Sequence, residues 1–211
     1  MKKNEFFKRL VEAENRIYNL DTPSINCERR KRFALGTSLL AFHTYDAFCT
    51  LADSKNYIAA IQQIRMQIDN VMYLFAATIA TNQTTFFEHF EANKDLNKLK
   101  IRGNALTTTY LLTLMEDKYS DIKIIYKECC KWVHPTSKRL SFVYIVTPLQ
   151  PNELVSHQGY RDRVYPIRNM QLGHELIDDL YADMYYVIDV LIELMNKLAE
   201  IQNNEINSLS D

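Results

Sequence analysis

Three short groups of residues have the types and spacing to do chemistry. Arg65 and Asp69 stand four positions apart in a helical pattern, so their side chains meet on one face. With Ile61 as the reference they lie at about 40° and 80° around the helix, on the flank of an apolar stripe. A guanidinium there needs an anion. Asp69 serves either in a structural ion pair that locks helix register, or as the residue that orients Arg65 toward a phosphate or carboxylate in a cleft. The second group is Trp132-Val133-His134-Pro135-Thr136-Ser137. Pro135 disfavours helical backbone at His134, so the imidazole falls at a helix end. The helix dipole there favours its protonated form. It either caps the last carbonyls or moves protons near neutral pH. The third group is Arg168-Asn169-Met170-Gln171-Leu172-Gly173-His174. An arginine beside a histidine suits phosphodiester chemistry: the cation stabilises charge building on the phosphate, and the imidazole takes the proton of an attacking 2′-hydroxyl. The same residues also fit a solvated loop arginine and a first-turn histidine bonded to its neighbours.

Other chemistry finds no support in the pattern. There is no HxxxH or HExxH, no CxxC, no GxGxxG, no Walker loop and no GxSxG, so neither a metal nor a cofactor is expected. Cys27, Cys49, Cys129 and Cys130 read as reduced thiols. The run Glu28-Arg29-Arg30-Lys31-Arg32 spreads its charges around a helix instead of forming one basic face. With a net charge of −1, no global field recruits nucleic acid. Any such contact must be local.

Helices must position these groups. Apolar spacing predicts helices over about 6–20, 24–52, 55–80, 84–91, 105–116, 121–133 and 174–202, with Gly103 as a break. Asp21-Thr22-Pro23 is a turn signal and Ser24 a credible cap. The segment Phe142–Thr147 has strand character, with 164–167 as its partner across a polar loop. The expected fold is therefore all-α: an antiparallel bundle of about five to seven helices with a small β-hairpin insertion, 142–167, before the last helix. One domain is expected over 1–211, with a frayed tail over 203–211. Hydrophobic residues at 47% and charged residues at 24% suit a buried core. The charged N-terminus lacks a signal region and no run is long enough to span a membrane, so a cytoplasmic location is expected.

Arg168-Asn169 followed by His174 is similar to the arginine, polar residue, spacer, histidine motif of the HEPN superfamily. Separately, Lys100–Ser137 resembles uncharacterised bacterial helical proteins grouped near that superfamily. Gly103, Leu106, Tyr119, Tyr126 and His134-Pro135-Thr136-Ser137 carry that likeness, preceded by the helix with Arg65 and Asp69. The first resemblance implies a metal-independent endoribonuclease of toxin–antitoxin or phage-defence systems, typically homodimeric. RNA would be the partner, with Arg168 stabilising the phosphate, Asn169 positioning it and His174 handling the proton. Arg65, Asp69 and His134 would form a secondary polar cluster. A homodimer with both copies on one groove would supply charge that one neutral chain lacks. The second resemblance implies no catalysis and leaves open a non-catalytic helical protein-interaction module.

Overall fold

The computed structural model describes residues 3–19, 25–54, 56–92, 94–101, 103–133 and 171–207. Among them are seven α-helices: α1 (Lys3–Tyr18), α2 (Ile25–Asp53), α3 (Tyr57–Ile79), α4 (Gln83–Glu91), α5 (Thr108–Met115), α6 (Ser120–Val133) and α7 (Gln171–Asn207). The bundle expected from the periodicity is present. The segments 142–167 and 208–211, and the turn at Asp21-Thr22-Pro23-Ser24, lie outside the described residues. A two-stranded hairpin does precede the last helix, at Lys100–Ile101 (β1) and Asn104–Ala105 (β2). Gly103 makes its turn with φ +81°, a conformation that costs glycine little. Ile101 and Leu106 bury the hairpin against the core.

Starts are set by side chains that satisfy orphan amides. Asn56 accepts from Ala59 N at 3.4 Å, Asn82 from Thr85 N at 2.9 Å and Thr107 from Tyr110 N at 3.2 Å. These caps place α3, α4 and α5 within a few residues of their expected bounds. The last helix runs past its expected end at Gln202 to Asn207.

Helix α3 is the spine, packed by α2, α7, α6 and α5, while α1 closes the group against α2 and α7. Its second half is buried almost all round: Gln67, Ile68, Asn70, Val71, Met72, Leu74, Phe75, Ala76, Ala77 and Thr78 are all inside. A helix apolar on every side belongs in the middle of a bundle. Asn70 Nδ2 donates to the Thr37 carbonyl at 3.2 Å, fixing α3 against α2 with a buried hydrogen bond. The stripe that helical spacing sets along the last helix is also inside: Met184, Ile188, Leu191, Met195 and Leu198 are buried, with Ile177 and Tyr181 at its edge.

Helical spacing puts Phe33, Leu40 and Phe48 on one stripe of α2, but the structure divides it: Phe33 and Phe48 are buried and Leu40 is 47% exposed. The inner face is made instead by Ala34, Thr37, Ser38, Ala41, Thr44 and Tyr45. Several of these are small, and small side chains let α3 come close. Leu35 and Leu39 point outward with Leu40, so α2 is apolar on two sides and its periodicity does not single out the core face.

Candidate functional site

The Arg65–Asp69 pair forms on α3 as the i, i+4 spacing requires. The remainder of its environment comes from α6. Arg65 Nη2 donates to the Tyr126 hydroxyl at 2.6 Å, and the guanidinium carbon lies 3.9 Å from the Tyr126 ring centroid. The cation is thus stacked as well as paired. Cys130, one turn further along α6, also favours the charged guanidinium. Burial works against the charge on Arg65, but the Asp69 carboxylate outweighs it and holds the guanidinium above its ordinary pKa. Burial likewise raises the Tyr126 phenol despite the neighbouring cation.

Asp69 is half-exposed and stands between two open grooves. One, of about 510 Å³, has Tyr73, Asp95, Asn97 and Thr108 on its walls. The other, of about 450 Å³, is more apolar and is framed by Phe33, Leu40, Met66 and Phe90. Asp69, the acidic partner of the stacked Arg65, thus borders two grooves, neither of which is lined by Arg65 itself or by a residue of α6.

Of the six residues singled out by sequence, Arg65 and Asp69 are brought together. His134, Arg168 and Asn169 lie outside the described residues. His134 stands four positions after Cys130 in sequence, which is itself four after Tyr126. His174 falls in the first turn of α7, and its side chain is outside the description. Its position shares a helical face with Tyr181, seven residues on. Tyr181 donates to Asp53 Oδ1 at 3.1 Å, at the C-terminal end of α2.

Tyr126 as the partner of Arg65 was not legible locally, because 61 positions separate them. The basic run at the start of α2 has the sequence of a solvated helix start, and the structure corrects this. Arg30 is buried at 1% exposure, with its guanidinium 5.8 Å from the Phe87 ring centroid. Arg29 pairs with Glu88 and Glu91, both at 3.0 Å, Arg32 with Glu91 at 2.8 Å and Lys31 with Glu28 at 3.3 Å. Those acids consume the charge, so this run is a fastening for α4 and not a nucleic-acid face.

The thiols behave as expected for core cysteines. Cys27 and Cys129 are buried and all four cysteines are free; burial pushes the Cys129 thiol up to about 12, which keeps it protonated and inert. Cys49, with Tyr45 and Tyr181 beside it, is also raised by burial. Among the described residues no cluster of three or more histidines, cysteines or acids could hold a metal ion, and no helix is long and apolar enough to cross a membrane.

Asp183 of α7 adds to the rise of the Cys129 thiol by its charge. Burial, reinforced by Asp179, Asp121 and Glu128, pushes its carboxyl up to about 6. The folded state thus holds this proton more tightly than the unfolded chain does. Its contribution is fully present below about pH 4 and is lost as pH rises through 6. Asp183→Asn is expected to stabilise the protein at pH 7.5 by on the order of 1 kcal/mol, the full shift being discounted for solvent screening. Thermal melts of both proteins from pH 4 to 8 check this; parallel profiles would exclude Asp183 as the titrating group.

No family model matches the chain, and neither a curated protein nor a solved structure does.

Proposed function

We propose that this chain is a HEPN-like helical protein that binds or cleaves RNA, with Arg65 as an anion-binding residue on the α3–α6 seam. One observation carries the reading: a half-buried arginine, stacked on Tyr126, whose carboxylate partner Asp69 borders two open grooves. Stacking holds the planar guanidinium ready for a phosphate, and partial burial strengthens its field. In the cleavage step the 2′-oxygen attacks phosphorus and gives its proton to His174 or His134. The bond from phosphorus to the 5′-oxygen breaks and that oxygen takes the proton from the imidazolium so formed, while Arg168 and Arg65 neutralise the phosphorane.

The test is incubation of the purified protein with mixed RNA in the presence of a chelator. Cleavage leaving cyclic phosphate ends, abolished by His174→Ala or His134→Ala in a protein with an unchanged melting temperature, is the expected result. Wild-type protein that neither binds nor cleaves RNA refutes the reading. Cleavage undiminished in both variants refutes the assigned site.

A second reading, a non-catalytic helical protein-interaction module, is favoured by the internal neutralisation of the basic run and by the apolar side chains exposed along α2. It predicts that neither histidine substitution changes anything but stability.

A further inference from the structure

We propose that the more apolar of the two grooves binds a small organic cation, an ammonium group carried on an apolar body, an inference independent of any action on RNA. Three observations converge on it. The first is the wall. Phe33, Tyr73 and Phe90 all line this groove of about 450 Å³, a size within the range of small-molecule sites. Phe90 packs edge-on against the other two rings, at 4.8 Å from Phe33 and 6.4 Å from Tyr73 between centroids. Leu40, Met66 and Phe90 are 47%, 48% and 40% exposed along it. Apolar surface gathered in this way marks a place where something else binds.

The second is Gly36, which also lines the groove. It lies in the interior of α2, where glycine is less favourable than alanine. A Cβ there would meet nothing within 4 Å, and the backbone does not have the positive φ found at Gly103. Neither packing nor backbone geometry within the chain calls for glycine. What a side chain at this position would occupy is the groove.

The third observation selects the ligand. Asp69, Tyr73 and Asp95 line this groove and the polar one alike, so two carboxylates and a phenol ring stand where the grooves meet. Arg65 engages Asp69 through Oδ2, which leaves Oδ1 for another donor. Asp95 precedes the single helical turn Leu96–Lys98 but makes no side-chain capping bond to it. Against these two acids stands one cation among the described lining residues, Lys94. An anion entering here meets two like charges. A neutral apolar molecule strips water from the carboxylates and returns no hydrogen bond. An ammonium donates to them while its apolar body lies against Phe33, Leu40 and Phe90, and an aromatic ring within about 6 Å attracts it further. Arg65 lines neither groove, so this site is distinct from the guanidinium proposed to meet RNA.

Titration of the full chain with phenethylamine, followed by amide chemical shifts in NMR spectra, tests the proposal. Phenethyl alcohol and hydrocinnamate carry a similar body without charge and with negative charge. The amine is expected to shift resonances around Gly36, Tyr73 and Phe90 saturably, with a dissociation constant about tenfold or more below that of either counterpart. Gly36→Leu sets a side chain in the groove while raising the helix propensity of α2, so it should abolish binding with no loss of melting temperature. Asp95→Asn, at an exposed position, should keep the fold and weaken amine binding by about tenfold, with no effect on the alcohol. Four results overturn the proposal: no saturable shift with the amine, equal binding of all three compounds, or amine binding undiminished in Gly36→Leu or in Asp95→Asn. If Gly36→Leu does not fold, Asp95→Asn and the three-compound comparison still decide.

Discussion

Phe33→Ala is expected to destabilise the protein by about 3–5 kcal/mol and to detach α4 from the bundle. Phe33 is 1% exposed and is the hub of an aromatic cluster. Its ring meets Phe86, Phe87 and Phe90 edge-on, at 5.7, 5.6 and 4.8 Å between centroids. Each contact adds to the burial because ring edges carry positive charge toward the neighbouring faces. The site has little freedom to collapse. One turn along α2, the Thr37 carbonyl is tied to Asn70 of α3, so the backbone cannot move in to fill the cavity. Helix α4 has only nine residues and is too short to persist alone. Its other fastenings include the contact of Arg30 with the Phe87 ring, that of Tyr73 with Phe90, and the ion pairs of Arg29 and Arg32 with Glu88 and Glu91. Pairs this close to solvent contribute about 0–1 kcal/mol each. Arg29→Ala should therefore cost far less than Phe33→Ala. Urea unfolding gives the two values, and hydrogen exchange at residues 83–91 reports the docking of α4. A loss under about 1 kcal/mol for Phe33→Ala would mean that charges, not rings, hold this helix.

What the sequence disclosed follows from the range of the interactions involved. The spine α3 and the last helix were legible because their burial repeats with the helical period, from Ile61 to Phe75 and from Met184 to Leu198. Caps at Asn56, Asn82 and Thr107 depend on amides three residues away, so boundaries near them fell close to expectation. Gly103 was legible as a break, though not as the turn of a hairpin. Two-residue strands carry no alternation to read. The inner face of α2 was hidden because leucines occupy its outer side while threonine, serine and alanine face the core. A hydrophobicity pattern assumes the reverse. Arg30 was misplaced for a related reason: a charged run reads as solvated, whereas its burial depends on Phe87 from α4. At the candidate site, the Arg65–Asp69 pair is local and was foreseen. The aromatic platform of Tyr126 arrives from another helix, and only the fold could supply it.

Asp69→Asn and Arg65→Ala are expected to move stability in the same direction and RNA affinity in opposite directions. Arg65→Ala removes a stack on Tyr126, a hydrogen bond to its hydroxyl and an ion pair. The stack contributes about 0.5–2 kcal/mol and the hydrogen bond about 1 kcal/mol, so a total loss of about 2–3 kcal/mol is expected. Asp69→Asn breaks only the ion pair. Because the carboxylate is half-exposed, about 1 kcal/mol is the expected cost. On RNA the two substitutions diverge. Arg65→Ala deletes the proposed anion-binding group and should weaken binding by about tenfold or more. Asp69→Asn leaves the guanidinium on its Tyr126 platform, frees donors that the carboxylate had occupied, and takes a negative charge from the edge of both grooves. Affinity should then rise severalfold, most clearly at low salt, where phosphate contacts dominate. If Arg65 merely fastens α3 to α6, both variants lose stability and neither changes RNA binding. Denaturant titrations beside RNA binding at two salt concentrations separate these outcomes: an Asp69→Asn protein that binds no more tightly than wild type would leave the cluster a structural clamp.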